Sequence, residues 1–276
     1  MRFEELGMYP ARVERVVRES PTVVSLYLRS SLPREPLPGQ FVMVWLPGKE
    51  EVPMSVSGWD GKRLRISVAR MGETTSRLQE IRRGRCLGMK GPLGRGFRLG
   101  KGPHLLVGGG TGMAPLIFAC RRLRERGVDV KVLVGAKTNS ELLFVSEAKR
   151  TGAEVEVATE DGSGGEKGMV TDLLERELPK RPWKVLACGP EEMLVKVVEE
   201  CMRRRRKVQV SLERHMRCGL GVCGSCVLDP VGWRVCTEGP VFDGRLLLRT
   251  DFGKFERDST GRRLPLSSRD FRARDR

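Results

Sequence analysis

Four cysteines near the C-terminus have the residue type and the spacing that could hold a metal centre. They are Cys218, Cys223, Cys226 and Cys236, in the pattern C-x4-C-x2-C-x9-C. The first three spacings are those of a plant-type [2Fe–2S] site, where four thiolates hold two irons. The glycines of the segment CGLGVCGSC permit unusual backbone angles, so that amide N–H groups can point at the sulfurs. We therefore expect one [2Fe–2S] cluster per chain at these four residues.

The alternative metal for these thiols is zinc. A disulfide is a weaker alternative. Structural zinc sites usually combine two similar cysteine pairs, which this asymmetric spacing fits poorly. The chain carries 51 Lys and Arg against 35 Asp and Glu, a net charge of +16. A zinc-stabilised basic nucleic-acid-binding protein is therefore the alternative of another class. Opposite charges are interleaved, however, and no nucleic-acid-binding signature is present, so we expect no nucleic-acid partner.

The remaining composition narrows the function further. No run of about 18 apolar residues occurs, and the N-terminal segment MRFEELGMYPARVERV lacks the apolar core of a signal peptide. We expect a cytoplasmic protein with no membrane segment, in which thiols stay reduced. With only two histidines in the chain, Ser/His or acid–base catalysis is poorly provided for, and we expect no catalytic side chain.

Two types of periodicity divide the chain in front of the cysteines. Short alternating segments separated by Gly and Pro turns predict an antiparallel β-barrel for residues 1–98. Apolar strands alternating with amphipathic helices predict a doubly wound parallel α/β domain for residues 99–211. Residues 212–252 would form a small cluster domain, and the basic tail 253–276 lacks periodicity and is expected to be disordered. The predicted fold class is thus multidomain: barrel, α/β domain and C-terminal [2Fe–2S] domain.

Two turns of the α/β domain are candidates for nucleotide binding. The segment GGGTGMAP, residues 108–115, follows the first strand of this domain and opens its first helix. Cys188-Gly189-Pro190 ends the fourth strand. Both lie at the carboxyl edge of the sheet, where open α/β sheets bind ligands. A tight turn without a ligand is the alternative for the first segment. In the barrel, Val52–Ser57 and Ala69–Thr75 are weaker candidates for a second nucleotide.

Together these motifs resemble the ferredoxin-NADP reductase superfamily. Over about residues 8–250 the chain looks, more narrowly, like the electron transfer subunits of dihydroorotate dehydrogenase B. The most specific segments are ERHMRCG at 213–219 and VCTEGPVF at 235–242, with TEDGSGGEKG at 159–168 and VTD at 170–172 also similar. The resemblance implies one FAD per chain between barrel and α/β domain, NAD on the α/β domain, and the cluster at the far end.

The resemblance also assigns residues by motif position. The chain departs from the superfamily pattern at Val52, where an Arg is common, and at Met54, where an aromatic residue is common. Arg70 or a backbone nest could replace the missing phosphate partner. The implied flavin contacts are Val52, Pro53, Met54 and Ser55, with Ala69, Arg70, Thr74 and Thr75 at the ribityl-diphosphate; Gly110, Thr111, Gly112, Cys188 and Gly189 frame the nicotinamide.

The implied activity is electron transfer between NAD and a separate catalytic subunit. That partner would carry FMN and oxidise dihydroorotate to orotate in pyrimidine biosynthesis, in a heterotetramer of two pairs. The nearest alternatives are flavin/iron–sulfur subunits of a hydrogenase, a sulfide dehydrogenase or a transhydrogenase. NAD is favoured over NADP because no compact Arg/Ser patch for a 2′-phosphate follows the second strand. FAD and FMN are not distinguished by these residues.

Overall fold

Six antiparallel strands of the N-terminal third close into a barrel in the computed structural model, which describes residues 7–258 and 260–266. The strand order around the barrel is β1-β2-β5-β4-β3-β6, and β6 pairs back with β1. The sequence prediction of an antiparallel barrel is therefore confirmed. The elements are β1 (Tyr9–Arg18), β2 (Val23–Ser30), β3 (Phe41–Trp45), β4 (Glu51–Trp59), β5 (Arg63–Ala69), α1 (Glu73–Gln79) and β6 (Cys86–Leu93).

A second, parallel sheet follows the barrel in the chain. Its parallel strands run in the order β10-β9-β8-β7-β11-β12, with helices between them. This confirms the doubly wound α/β prediction. The elements are β7 (His104–Gly109), α2 (Met113–Arg124), β8 (Val130–Ala136), α3 (Val145–Arg150), β9 (Glu154–Thr159), β10 (Glu166–Lys167), α4 (Val170–Glu177), β11 (Lys184–Cys188), α5 (Glu191–Arg203) and β12 (Val208–Ser211), with 3-10 turns at Gly110–Gly112 and Asn139–Glu141.

The strand order of this sheet reverses between β7 and β11. The chain moves outward from β7 through β8 to β9, then returns to place β11 on the other side of β7. In open α/β sheets, such a switch point leaves a crevice at the carboxyl ends of the strands, where ligands bind. The Gly108–Gly112 turn and the Cys188–Pro190 turn flank this point.

Barrel and sheet share a packed boundary. Helix α2 lies against β4, and its Phe118 is buried among the apolar side chains of the barrel. Arg65 of β5 donates to both carboxylate oxygens of Glu147 on α3, at 2.7 and 3.0 Å. Arg121 of α2 bonds the same carboxylate at 2.8 Å. These contacts hold the barrel against the helices of the parallel sheet.

The C-terminal part differs from the expected domain division in one respect. Val241–Asp243, placed by the sequence analysis in the cluster domain, is the outermost strand of the large sheet, antiparallel to β12. The cluster-loop segment therefore leaves the sheet and returns to it. The elements here are β13 (Val227–Leu228), β14 (Trp233–Arg234), β15 (Val241–Asp243), α6 (Gly244–Leu247), β16 (Phe255–Arg257) and β17 (Arg263–Pro265).

The expectation of a disordered tail is wrong for the part that is described. Strands β16 and β17 form a hairpin, and Arg257 donates to Asp229 at 2.5 Å. The guanidinium of Arg263 lies 4.7 Å from the ring centroid of Phe255, and Leu266 is buried. An ion pair, a cation–π contact and a buried leucine thus order a segment whose composition suggested no regular structure. Residues 267–276 lie outside the described part.

No helix in the described residues is both long and apolar enough to cross a membrane.

Candidate functional site

The cysteine loop occupies the irregular stretch between β12 and β13, and glycines give it its path. Gly219, Gly221 and Gly224 have φ values of +68°, +79° and +72°, a region that side chains rarely adopt. A Cβ on Gly219 would lie 2.7 Å from the side chain of Met43, and one on Gly221 would lie 2.8 Å from that of Thr237. Close packing and left-handed backbone therefore both require glycine in this loop.

The four thiols meet in two pairs. Cys223 lies close enough to Cys218, and Cys236 close enough to Cys226, for each neighbour to shift the pKa of the thiol. Cys223 is exposed and Cys218 half-buried, whereas Cys226 and Cys236 are buried. The first two form the outer pair and the last two the inner pair.

Backbone N–H groups point at the sulfurs. The N–H of Leu220 donates to Cys218 Sγ, and the N–H of Cys236 donates to Cys226 Sγ, each at 3.4 Å. The backbone of Gly221 bonds Cys236. Such N–H···S bonds stabilise thiolate charge and tune a bound metal centre. Two thiol pairs surrounded by amide donors fit an iron–sulfur cluster.

The protonation of two of these thiols departs from ordinary values. For Cys223, partial burial raises the pKa, but hydrogen bonds from Ser225 and Cys218 outweigh it and lower the pKa to about 6. For Cys236, burial, followed by the hydrogen bond and charge of Cys226, raises the pKa to about 12. Cys223 of the outer pair is thus more acidic than Cys236 of the inner pair. Among the described residues, no three His, Cys, Asp or Glu side chains converge to hold a single metal ion.

An ion pair that the sequence analysis missed supports the fourth cysteine. Arg234 donates to Glu238 Oε1 at 2.8 Å and to the carbonyl of Gly221 at 2.9 Å. The Glu238 carboxylate also accepts from the Arg234 N–H at 2.7 Å and from the Thr237 hydroxyl at 2.9 Å. These bonds, led by the one from the Arg234 side chain, lower the pKa of Glu238 to about 2. The pair joins the glycine loop to the turn that carries Cys236.

The loop lies directly on the barrel. Gly219, which follows Cys218, packs on Met43 of β3 and Leu93 of β6. Met43 is the register partner of Pro53 on β4, one of the predicted flavin residues. Further along, the N–H of Arg95 donates to the Gly239 carbonyl at 2.5 Å. The cysteine loop and the predicted flavin strand are therefore separated by a single intervening strand.

The predicted flavin residues fall at one end of the barrel. Val52, Pro53, Met54 and Ser55 lie near the start of β4, and Ala69 ends β5. Because β4 and β5 run antiparallel, these two ends lie at the same rim. The four β4 residues and Ala69 are half-buried, apart from Met54, which is buried.

The rest of the predicted flavin set lies beyond β5. Arg70 is exposed, while Thr74 and Thr75 are buried in α1, a helix that the sequence analysis did not predict. The Thr75 hydroxyl accepts from the N–H groups of Met71 and Gly72 at 2.8 and 2.9 Å. Thr75 therefore shapes this turn. The flavin roles of all these residues stay predictions.

The two predicted nicotinamide turns are in direct backbone contact. Cys188 is the register partner of Gly108 across β11 and β7. A Cβ on Gly112 would lie 2.2 Å from the Cys188 carbonyl oxygen, and one on Gly189 would lie 3.0 Å from the Gly109 nitrogen. The two turns thus lie side by side at the carboxyl edge of the sheet, and the crevice that they would share stays a prediction.

The lining of that crevice is partly open. Gly110 has φ +50°, and a Cβ there would meet nothing within 4 Å; Thr111 beside it is half-buried. Cys188 is buried, and burial, followed by the charge of Glu213, raises the pKa of its thiol well above the ordinary range. This thiol is neutral and unsuited to nucleophilic attack. The nicotinamide roles of these turn residues stay predictions.

A buried ion pair links the second of these turns to the cysteine loop. Glu191 directly follows the Cys188–Pro190 turn, and Arg214 lies four residues before Cys218. Their side chains are 3% and 2% exposed and form a two-bond ion pair. Glu191 also accepts from the Gly253 N–H at 2.7 Å. Arg214 lies within the ERHMRCG segment of the family resemblance, but no sequence signal indicated that it pairs with Glu191.

Sequence profiles of known families match two parts of the chain. The iron-sulfur cluster binding domain of dihydroorotate dehydrogenase B matches residues 213–248. The oxidoreductase NAD-binding domain matches residues 106–199. The first range contains all four cysteines, and the second contains both glycine turns at the switch point.

Relatives of similar length share most of the chain. A probable dihydroorotate dehydrogenase B (NAD(+)), electron transfer subunit, from Methanocella arvoryzae is 41% identical over 257 residues, which is 92% of this chain and 97% of the relative. One of the same name from Methanothermobacter thermautotrophicus is 43% identical over 256 residues, 92% and 96% of the two chains.

Solved structures share the architecture. A chain of an NADH-dependent reduced ferredoxin-NADP oxidoreductase, studied for flavin-based electron bifurcation, has a TM-score of 0.79 and 30% identity, covering 88% of this chain and 90% of that one. A ferredoxin reductase of carbazole 1,9a-dioxygenase has a TM-score of 0.64 and 23% identity over 72% of this chain and 66% of that one. The second likeness concerns the fold alone.

Proposed function

We propose a complete electron path for this chain, which belongs to the family of dihydroorotate dehydrogenase B electron transfer subunits and contains its iron–sulfur domain and an NAD-binding domain. In the proposed path, electrons travel between NAD at the switch-point crevice and a separate catalytic subunit, through one flavin and one cluster per chain. When bound, a flavin accepts two electrons from a nicotinamide as hydride, and a [2Fe–2S] cluster exchanges them one at a time.

The observation that carries the proposal is the pairing of the thiols. A [2Fe–2S] cluster needs two thiolates for each of its two irons. Cys218 with Cys223 would hold the outer iron, and Cys226 with Cys236 the inner one, because within each pair one thiol lies near enough to shift the pKa of the other. The amide donors to sulfur and the Arg234–Glu238 pair keep the loop in this arrangement. The type and number of clusters are part of the proposal.

The proposed FAD site is the rim of the barrel that faces the crevice. Val52–Ser55 would lie along the flavin, with Ala69, Arg70, Thr74 and Thr75 at its ribityl-diphosphate part. The packing of Gly219 on Met43, beside Pro53, supports a short path from this rim to the outer thiols. With Val52 in place of the usual arginine, the exposed guanidinium of Arg70 is the available side-chain cation for the diphosphate.

The proposed NAD site is formed by the two turns in backbone contact. Gly110, Thr111 and Gly112 would border one side of the nicotinamide, and Cys188 and Gly189 the other. Gly110 leaves open space where a side chain would otherwise point. These residues position the ring and supply no acid or base. NAD rather than NADP is proposed, as in the names of the relatives.

The outer end of the path is the proposed contact with the partner. Leu220 and Val222, both in the loop between Cys218 and Cys223, are 55% and 84% exposed, and Cys223 is itself exposed. Exposed apolar side chains of this kind mark protein interfaces. We propose that this face binds an FMN-containing subunit that oxidises dihydroorotate, within a heterotetramer serving pyrimidine biosynthesis.

A second candidate follows from the solved structure with 30% identity. An electron-bifurcating ferredoxin-NADP reductase uses a chain of nearly the same length and fold. In that case the same two turns and thiol pairs would serve a different partner and acceptor. The identities of 41% and 43% over nine-tenths of the chain favour the dihydroorotate assignment.

The test is co-expression of the chain with the FMN subunit encoded in the same genome. The purified complex should reduce NAD+ when given dihydroorotate. Cys226→Ser should abolish this activity while flavin stays bound, and Cys86→Ser, an exposed cysteine at the start of β6, should retain it. Undiminished turnover in Cys226→Ser would remove the cluster from the path. A complex that is inert to dihydroorotate yet couples NADH to ferredoxin and NADP would favour the second candidate.

A further inference from the structure

A cavity lies at the opposite edge of the large sheet from the nucleotide turns. Its volume is about 480 Å³, within the range of about 300–1,000 Å³ typical of small-molecule sites. It has three walls. They are the linker between barrel and sheet at 95–100, the starts of β11 and β12, and the segment from Glu238 to Leu246 that returns from the cysteine loop.

The walls of this cavity are strongly basic. Two carboxylates are present, and each already bonds its own arginine: Glu238 bonds Arg234, which lies outside the lining, and Asp243 bonds Arg245 at 3.1 Å. The cations outnumber them by five to two. They are Arg95, Arg98, Lys184, Lys207 and Arg245.

Several of these cations have no carboxylate to neutralise them. Among the described residues, Arg95 and Lys207 form no ion pair. Arg98 lies near enough to contribute to lowering the pKa of Asp243, but these two form no hydrogen-bonded pair. The ammonium of Lys184 donates to the carbonyl of Lys101. Positive charges gathered in a concave site focus the field and attract anions.

The backbone under these charges is held in place. The N–H of Arg98 donates to the side-chain oxygen of Gln209 at 2.8 Å, and the Gln209 amide donates back to the Arg98 carbonyl at 3.1 Å. Arg95 is tied by its own N–H to Gly239. A site preorganised in this way spends little free energy on ordering when it binds.

We propose that this cavity binds a small molecule carrying two or more phosphate groups. Arg95, Arg98 and Lys207 would hold the phosphates through charge-assisted hydrogen bonds, the strongest class available to them. Val208 and the 40%-exposed Leu246 supply an apolar wall that suits a ring system. Nucleoside polyphosphates and inorganic polyphosphate share this phosphate chemistry. Only a nucleoside polyphosphate also carries a ring that the apolar wall could contact.

The test is isothermal calorimetry of tripolyphosphate and of ATP binding to the purified complex. Saturating NAD+ is present, so that the proposed NAD site at the other edge of the sheet is occupied and does not bind the probes. The double variant Arg95→Gln and Lys207→Gln removes two positive charges and leaves the backbone hydrogen bonds of both positions in place. Each charge-assisted hydrogen bond that is lost weakens the binding of phosphate. The double variant should therefore bind tripolyphosphate at least about tenfold more weakly.

The matched control removes the same charge elsewhere. Arg82→Gln with Arg83→Gln alters an exposed turn at the other end of β6, and binding should be unchanged. ATP binding tighter than tripolyphosphate would identify a nucleotide site, and equal binding a polyphosphate site. No saturable binding of either probe, or equal weakening in both double variants, would overturn the proposal, because the +16 net charge alone would then account for the anion affinity.

Discussion

Replacing Gly112 with alanine should disable nicotinamide binding without touching any predicted ligand side chain. Gly112 has φ −58° and ψ −17°, angles that alanine adopts readily. Its Cβ, however, would lie 2.2 Å from the Cys188 carbonyl oxygen, 2.3 Å from that carbonyl carbon and 2.5 Å from the Gly189 nitrogen. Non-bonded heavy atoms rest at about 3.5 Å or more. The two turns must therefore separate by roughly 1 Å.

The magnitude follows from this separation. Forcing a methyl group into packed backbone costs about 1–3 kcal/mol of the free energy of unfolding. A misplacement of about 1 Å at a reacting centre lowers the rate about 100-fold. We therefore expect kcat/KM for NADH-dependent dye reduction to fall about 100-fold in Gly112→Ala, while urea unfolding shows only the moderate loss of stability.

The control is Gly127→Ala, in the turn after α2. Gly127 has φ +70° and open space around its Cβ position, so alanine there costs about 1–2 kcal/mol through backbone strain alone. The two variants should lose comparable stability, and only Gly112→Ala should lose NADH turnover. Equal kcat/KM in both variants would refute the inference that contact between the two turns forms the nicotinamide site.

Two further predictions concern buried charge. Glu191→Ala strands the Arg214 guanidinium without its counter-charge and should cost about 3–5 kcal/mol of unfolding free energy, whereas Arg63→Ala, in an exposed pair, should cost about 1 kcal/mol or less; similar losses in urea titrations would contradict the burial of the pair. His104 is buried, and burial, aided by the charge of Lys184, lowers its pKa below the usual value of about 6.5. The folded state thus resists protonation, so stability present above about pH 6.5 should decline as the pH falls below it, by no more than about 1.4 kcal/mol per pH unit. His104→Asn keeps a donor for the Gly102 carbonyl and should flatten the decline between pH 7.5 and 5.5; an unchanged pH profile would show that another group is responsible.

The sequence predicted those parts of the site that depend on spacing and on local backbone. The interval between Cys218 and Cys226 indicated a cluster loop, and the glycines of both turns indicated one sheet edge. These patterns can be recognised from the sequence alone because each arises within a few neighbouring residues. Strand β15 was not predicted because it spans only Val241–Asp243, which is too short for a periodic pattern. Helix α1 was not predicted because it has only seven residues.

The charged supports of the site could not be predicted in the same way. Arg234 and Glu238, and likewise Glu191 and Arg214, are four residues among 86 with charged side chains. The pairing of Glu191 with Arg214 depends on a tertiary contact between separate segments. Arg234 and Glu238 are only four residues apart, but they lie at a turn and not on a helix whose periodicity would have indicated the pair. The C-terminal hairpin could not be predicted for a similar reason. In the sequence Arg257 and Arg263 resemble solvent-exposed charges, and only the folded structure places Asp229 beside them.

Electron paramagnetic resonance of the anaerobically purified flavin-containing chain, before and after addition of NADH, tests the central claim most directly. We expect a signal from a reduced [2Fe–2S] centre that appears with NADH, integrates to about one spin per chain, and is lost in Cys226→Ser but kept in Cys86→Ser. A fully active chain that gives no such signal and contains zinc or no metal would contradict it.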